Sequence, residues 1–198
     1  MDVPRADIDA CVASHQRLLG WVADLDDDGA RAASRLPGWS RGHVITHLAR
    51  NADSVVRRLT GAREGQVADQ YEGGAAGRAA EIEAGASRSA ADLLADLRTA
   101  CAGVDVALAA HPEDRWDGLS RGVDGDEAPV ARLPFGRWRE VEVHLVDLDV
   151  GYEPSDWPAA LVHRWLPELL PALAGRCEPA PLLAWILRRG PAPLLDPW

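Results

Sequence analysis

A glutamate and a histidine one helical turn apart are the residues of this sequence best suited to chemistry. Glu140 and His144 are spaced i and i+4, and Asp147 follows at i+7, within the segment 137–148. If that segment is helical, the three side chains share one face, and a carboxylate and an imidazole one turn apart can bind the same metal ion. Two donors do not complete a metal site, so another part of the chain must supply at least one more.

The secondary structure of this segment is ambiguous from its own sequence. Trp138, Val141 and Leu145 repeat at helical spacing, yet apolar and polar residues also alternate from Val141 to Leu145, which is typical of a strand. The other long periodic segments of the chain are helical in pattern, and residues 134–136 (Pro-Phe-Gly) break the chain just before the run. This context favours a helix over 137–150.

A third donor is expected from a helix over residues 41–60, for which Ser40 is a suitable N-cap. His47 lies in mid-helix beside the apolar stripe, where the interior of a bundle would hold it. His43, one turn earlier, is expected to be solvent-facing or structural. His15, in the first periodic segment, is expected to form the polar edge of a core face.

Together, His47, Glu140 and His144 provide two imidazoles and one carboxylate. Three protein donors of this kind suit a catalytic zinc ion that keeps one position open for water or substrate. Ligand type alone leaves nickel, manganese and iron possible. Asn51 and Asp147 are candidates for side chains that orient the histidine rings from behind. Asp147 could equally be a carboxylate on the helix surface.

Apolar residues at helical spacing define four main helices, and the chain is therefore predicted to be mainly all-α. Their approximate limits are 7–25, 41–60, 90–110 and 137–150. The connections permit an up-down four-helix bundle with a crossover, whose interior can hold a metal site.

Shorter elements are expected between and after these helices. They are a short helix over 78–83, a surface loop with a short hairpin over 116–128, and a tail helix that begins at 157–158 and is interrupted at Pro167 and Pro171. Two domains follow from this pattern. Residues 1–152 form the bundle, and residues 153–198 form a shortened helical and irregular C-terminal extension that packs on it.

The overall charge excludes some classes of partner. The chain of 198 residues has a net charge of −10, and its 21 basic residues are all arginine. An acidic balance argues against nucleic-acid binding.

The sequence has no signal segment at its start and no apolar run of 18 residues, so we expect no membrane insertion and a cytoplasmic location.

The cysteines do not indicate a disulfide framework. Cys11, Cys101 and Cys177 are odd in number, widely spaced and in no CxxC pattern. They are expected to be buried or idle thiols in a reducing compartment.

Two motifs resemble those of a known family. Residues 36–53 (LPGWSRGHVITHLARNAD) resemble the N-terminal signature of the mycothiol-dependent maleylpyruvate isomerases, a branch of the DinB-like metal-binding four-helix bundles. The pattern R-x-x-E-V-x-x-H-x-x-D over residues 137–147 resembles the second motif of that family, and residues 81–86 are also similar. The likeness covers roughly residues 5–165.

This resemblance implies a DinB-like bundle with zinc ligands at His47, Glu140 and His144. It also implies mycothiol as a low-molecular-weight thiol cosubstrate, and cis–trans isomerisation of maleylpyruvate or a similar unsaturated diacid by reversible thiol addition. A guanidinium at Arg189, which matches a functional arginine of the family, could bind a substrate carboxylate. The C-terminal domain of the family is reduced here, and Arg188 stands where the family has glycine.

Other functions remain open at this level. The chain could be a mycothiol S-transferase that joins the thiol to an electrophile, or a metal-binding bundle without enzymatic activity. It could also be a bundle without metal, whose histidines are structural. The expected partners are a small-molecule substrate and a thiol, and the protein is expected to be a monomer or a homodimer.

Overall fold

The chain is mainly helical, as predicted, in a computed structural model that describes residues 2–195. The described residues form two compact units, which divide between Pro154 and Ser155. The first unit contains the four long helices that the amphipathic patterns predict. Among the described residues, no helix combines the length and the apolar composition that a bilayer span requires.

The first unit is built around a bundle of four helices. Its helices are α1 (Arg5–Trp21), α2 (Asp27–Arg31), α3 (Arg41–Arg63), α4 (Gly74–Gly85), α5 (Ala90–Ala109) and α6 (Leu133–Asp147). Of these, α1, α3, α5 and α6 form the bundle: α3 packs along α5, α1 packs along α6, and α3 also contacts α4 and α6. Two 3-10 turns of this unit lie at Glu113–Arg115 and Val130–Arg132, and another, Pro154–Asp156, spans the division between the two units.

The core of this unit is aliphatic, as the helical periodicity requires. Val44 and Leu48 on α3, Leu97 on α5, and Val141 and Leu145 on α6 have no exposed surface. Burial of a side chain of this size stabilises the fold by about 1.5–3 kcal/mol. The apolar stripe of each helix therefore fixes which of its faces turns inward.

The start of α3 is fixed by a capping box. The hydroxyl of Ser40 accepts from the backbone N–H of His43, and Nδ1 of His43 accepts from the backbone N–H of Ser40 at 3.1 Å. Two backbone donors of the first turn are thereby satisfied. His43 thus has a structural contact at the helix start, in agreement with one of the two expectations for it.

Several helix limits differ from the sequence-based prediction. α6 begins at Leu133 rather than 137, because Pro134 occupies the first turn, where its missing N–H costs nothing. It ends at Asp147, and Asp149 adopts a left-handed conformation at φ 54°. α1 ends at Trp21, four residues early, because Asp26 caps a separate helix, α2, by accepting from the N–H of Gly29 at 2.7 Å.

A small sheet connects the long helices. The expected hairpin is present as β2 (Leu119–Arg121) and β3 (Glu127–Pro129), which pair antiparallel with Ser120 opposite Ala128. β1 (Ala68–Asp69) pairs parallel to β2 and was not predicted, because two residues carry no periodic signal. The sheet closes one end of the space between α3 and α6.

α4 lies unusually close to α3 because two glycines permit it. A Cβ atom on Gly42 of α3 would lie 2.2 Å from the carbonyl oxygen of Ala86, and one on Gly85 would lie 2.5 Å from the side chain of Thr46. α4 is also longer than the short helix expected over 78–83. Its approach brings residues of α4 within reach of the middle of α3.

The second unit contains α7 (Ala159–Leu173) and α8 (Pro179–Ile186). The expectation that Pro167 and Pro171 interrupt the tail helix is wrong, because α7 continues through both. Each proline removes one backbone hydrogen bond, but the rest of the ladder persists. The packing of residues 153–198 on the bundle stays a prediction, and residues 196–198 lie outside the part of the chain that the structure describes.

Candidate metal centre

The three expected metal ligands come together where α3 faces α6. Nε2 of His47 lies 3.1 Å from Nε2 of His144 and 3.1 Å from Oε2 of Glu140, and the last two atoms are 3.5 Å apart. The donor atoms therefore form a compact triangle. Within residues 2–195, no other group of three or more His, Cys, Asp or Glu side chains brings its donor atoms together in this way.

The size of this triangle fits a divalent ion. Donor atoms about 2.0–2.2 Å from a tetrahedral zinc ion lie about 3.3–3.6 Å from one another. The edge of 3.5 Å lies within that range, and the two edges of 3.1 Å are slightly shorter. Two imidazoles and one carboxylate could thus hold zinc or another divalent ion and leave room for a further ligand.

Asp147 holds the ring of His144. Its Oδ2 lies 2.8 Å from Nδ1 of His144. A carboxylate at this nitrogen keeps a proton there, so that Nε2 faces the candidate ion site. Burial acts to lower the pKa of His144, but its hydrogen bonds to Asp147 and Glu140 prevail and raise that pKa to about 9.

Glu140 marks the open side of the triangle. Its side chain is 39% exposed, against 17% for His144 and 3% for His47. Burial favours the neutral acid, but hydrogen bonds to the two imidazoles outweigh it and hold the pKa of Glu140 well below its usual range. The carboxylate is therefore ionised at neutral pH and able to act as an anionic donor.

His47 is the buried corner of the site. Burial is the main cause that lowers its pKa to about 4, so the ring is neutral at physiological pH. Nη2 of Arg78, on α4, lies 3.2 Å from Nδ1 of His47. A guanidinium can only donate, so Nδ1 accepts in this arrangement. The sequence carries no signal for Arg78, because its role depends on the close approach of α4 to α3.

Asn51 lies one turn after His47, but its side chain is engaged elsewhere. Its Oδ1 accepts from Nη1 of Arg137 at 2.9 Å, and the same Nη1 donates to the backbone oxygen of Leu48 at 2.8 Å. Asn51 thereby helps to fix the start of α6 against α3. Its expected role in orienting the histidine rings stays a prediction.

Arg137 organises a buried polar network that sequence reasoning missed. Its Nε donates to Nε2 of His15 at 3.1 Å, and Nδ1 of His15 lies 2.7 Å from Oδ1 of Asp105. His15 is 1% exposed, so it is fully buried rather than at the polar edge of a core face. Burial and the charge of Arg137 lower its pKa, which outweighs the hydrogen bond to Asp105. Only the convergence of α1, α5 and α6 makes this network visible.

Arg189 belongs to the second unit and follows α8. Its side chain is exposed, and Nη1 donates to the carbonyl oxygens of Leu187 and Arg188 at 3.3 and 3.4 Å. Arg188 adopts a left-handed conformation at φ 56°, which is the backbone geometry that glycine favours. A catalytic role for Arg189 stays a prediction.

The cysteines of the first unit are poor nucleophiles. Cys11 and Cys101 are both buried and free. Burial raises the pKa of Cys11 to about 12 and also raises the pKa of Cys101. Neither sulfur is a thiolate at neutral pH, and the thiolate is the reactive form.

A helical bundle whose facing helices present two histidines and a glutamate to one point defines the class of this protein. The chain belongs to the family of the mycothiol maleylpyruvate isomerase N-terminal domain, whose model matches residues 11–149. That match includes both motifs and all three donor residues. No curated protein matches the sequence.

Solved structures share this fold. A crystal structure of the mycothiol-dependent maleylpyruvate isomerase superposes with a TM-score of 0.79 at 24% identity, covering 84% of this chain and 69% of that one. A crystal structure of a histidine-to-alanine mutant under the same name gives the same TM-score and coverage at 23% identity. At this level of identity, the likeness shows the fold.

Proposed function

We propose that this protein is a metal-dependent enzyme that uses mycothiol to isomerise maleylpyruvate or a similar unsaturated diacid. The observation that carries the proposal is the triangle of His47, Glu140 and His144, which has the size and donor chemistry of a zinc centre with an open position. Membership of the family supports mycothiol as the thiol and isomerisation as the reaction. A bound divalent ion would act as a Lewis acid that lowers the pKa of a thiol and polarises a carbonyl group.

The protein residues prepare this site in defined ways. His47 offers a neutral imidazole because burial lowers its pKa, and Glu140 offers an ionised carboxylate. Asp147 keeps the proton of His144 on Nδ1, so that Nε2 points inward. The buried side chain of His47 keeps water from one side of the site, while the exposed edge of Glu140 admits the reactants.

Mycothiol supplies the thiol in this proposal, in keeping with the two cysteines of the bundle, which are buried and protonated. The sulfur of the mycothiol thiolate adds to one alkene carbon, and the π electrons move to the adjacent carbonyl as an enolate. The former double bond is then single and rotates. Elimination reforms the alkene in the trans geometry and returns the thiolate, so the thiol is regenerated.

The location and the assembly belong to the same proposal. A low-molecular-weight thiol is kept reduced in the cytoplasm, and we infer that the protein acts there. It works as a monomer or a homodimer on small-molecule reactants, with zinc as the first candidate among divalent ions.

The test uses tag-free protein loaded with zinc. Conversion of maleylpyruvate is followed with mycothiol, without thiol, and after removal of zinc by a chelator. His47→Ala is expected to lose the bound metal and the thiol-dependent conversion together, whereas His163→Ala, at an exposed histidine of α7, keeps both. Normal metal content in His47→Ala would show that the triangle is not the metal site.

A second arm separates isomerase from S-transferase. The same protein is incubated with mycothiol and an electrophilic bimane, and the thiol adduct is measured. Isomerisation without adduct formation above the uncatalysed rate supports the proposal. Enzymatic adduct formation without isomerisation assigns the S-transferase function instead, and neither activity in the zinc-loaded protein refutes a thiol-dependent enzyme.

A further inference from the structure

An arginine-rich cavity adjoins the candidate metal centre. It has a volume of about 270 Å³ and lies between α3, α6 and the hairpin. Glu140, the exposed corner of the donor triangle, forms part of its wall, so the cavity and the candidate metal centre share this residue. Its charged lining residues are Arg58, Arg132, Arg137, Arg139, Asp126 and Glu140.

The charge of this arginine cavity is opposite to that of the protein. Four guanidinium groups face two carboxylates, and one of those carboxylates is Glu140, a metal donor in the proposed function. The whole chain carries a net charge of −10. A cleft lined by one sign of charge concentrates the field and draws small ions of the opposite sign. The cavity therefore favours an anion in an otherwise acidic protein.

Arg58 is one of the four arginines that line this cavity. It is partly buried on α3, and it donates from Nε to the backbone oxygen of Ser54 at 3.2 Å and from Nη2 to the hydroxyl of Ser54 at 3.3 Å. Within residues 2–195, no carboxylate forms an ion pair with it. Burial lowers its pKa to about 10, so it remains charged at neutral pH. Buried or partly buried charges are normally paired, whereas Arg58 lines the cavity together with Glu140, whose carboxylate acts on it without an ion pair.

Arg137 adds a second guanidinium without an ion pair to the lining of the cavity. Its guanidinium is 1% exposed and contacts only neutral groups, namely the ring of His15, the carbonyl oxygens of Leu48 and Asn51, and the sulfur of Cys101. No carboxylate of the described residues contacts it. Its charge therefore contributes to the positive potential of the cavity rather than to an ion pair.

The position of Arg58 along α3 determines how far its guanidinium lies from the candidate metal centre. His47, Asn51, Ser54 and Arg58 are spaced i, i+4, i+7 and i+11, so they share one face. Side chains on a helix lean toward its N-terminus, and the guanidinium of Arg58 accordingly lies beside Ser54. Ser54 is seven residues from His47, which is roughly 10 Å along the helix axis. A ligand that reaches both points must be a short chain with an anionic end.

We propose that the arginine cavity binds the distal carboxylate of a small dicarboxylate substrate, with Arg58 as its main donor, while the other end of the substrate lies at the metal centre. The proposal rests on the proposed function for its substrate class. A planar guanidinium presents two parallel N–H donors that match a carboxylate. Arg58 is thus a specificity-determining residue that selects diacids over monoacids.

The test measures binding rather than turnover. Zinc-loaded protein is titrated by calorimetry with fumarate and with its monoamide, which lacks one carboxylate. Wild type is expected to bind fumarate about 10–100-fold more tightly, the range of a charge-assisted hydrogen bond. Arg58→Met is expected to bind the two ligands equally. Arg98→Met, at an exposed arginine of α5, serves as the matched control and keeps the wild-type preference.

Arg58→Lys is a second variant in case Arg58→Met does not fold, and circular dichroism checks the fold of both. It keeps the charge but not the paired donors, and it is expected to retain part of the preference. The proposal would be overturned if either Arg58 variant kept the full wild-type preference for fumarate over the monoamide. Equal binding of both ligands by wild type would also overturn it. Loss of the preference in Arg58→Met without any thiol-dependent turnover in wild type would leave the diacid site standing and refute only the proposed isomerase reaction.

Discussion

Nη2 of Arg78 donates to Nδ1 of His47 at 3.2 Å, on the side of the ring away from the donor triangle. A neutral histidine that binds a metal through Nε2 carries its proton on Nδ1. Two N–H donors would then face each other. If the triangle binds a metal ion in this way, Arg78 must leave His47 when the ion binds.

Replacement of Arg78 is thus expected to strengthen metal binding. Arg78→Met removes both the competing donor and a positive charge, and a hydrogen bond of a charged group contributes about 1.5–3 kcal/mol. We expect the zinc dissociation constant to fall by about tenfold or more in a titration against a chromophoric chelator. Arg98→Met is the control. Weaker zinc binding in Arg78→Met would mean that Arg78 supports the metal site instead.

Loss of Asp147 is expected to weaken metal binding without abolishing it. Asp147→Ala removes the acceptor that keeps the proton of His144 on Nδ1. Removal of such an outer partner typically costs about 10–100-fold in metal affinity. The same chelator titration measures the effect, with Asp24→Ala, at an exposed carboxylate, as the control. An unchanged affinity would contradict the orienting role of Asp147.

The buried network around His15 predicts a pH dependence of stability. The folded state lowers the pKa of His15 from 6.5, so the unfolded chain binds a proton more readily. The contribution of His15 is therefore complete above pH 6.5 and is lost as pH falls below it. Between pH 7.5 and 5.5, the free energy of unfolding should therefore decrease more in wild type than in His15→Gln.

Urea denaturation of metal-free protein measures this difference. The contributions of His47 and His144 are the same in both proteins and cancel in the comparison. His163→Gln, at an exposed histidine, should follow the wild-type slope. Equal slopes in wild type and His15→Gln would show that the pKa of His15 is not lowered by folding.

The contact of α4 with α3 depends on Gly42. Gly42→Ala places a methyl group 2.2 Å from the carbonyl oxygen of Ala86, which is backbone and cannot rotate away. We expect a loss of about 1–3 kcal/mol in the free energy of unfolding, as for other overpacked sites. Gly20→Ala, in α1 with no atom near the added methyl group, should instead stabilise by about 0.5–1 kcal/mol. Thermal denaturation of both variants distinguishes the two effects.

The sequence by itself determined the four long helices and the three candidate metal donors, His47, Glu140 and His144. The helical spacing of the apolar residues predicted the four long helices, and Ser40 predicted the start of α3, because periodicity and capping are local properties. The i, i+4 spacing of Glu140 and His144 placed them on one face for the same reason. The limits of α6 were less accurate, because residues 134–136 are compatible both with a break and with a first helical turn.

Only the tertiary structure decided what surrounds those groups. His47 and Glu140 are 93 residues apart, and their contact at 3.1 Å depends on how α3 packs on α6. Arg78 reaches His47 only because two glycines let α4 approach α3, and Arg58 faces a cavity only because the hairpin closes it. Contacts between distant segments leave no periodic trace in the sequence, because packing rather than local backbone preference creates them.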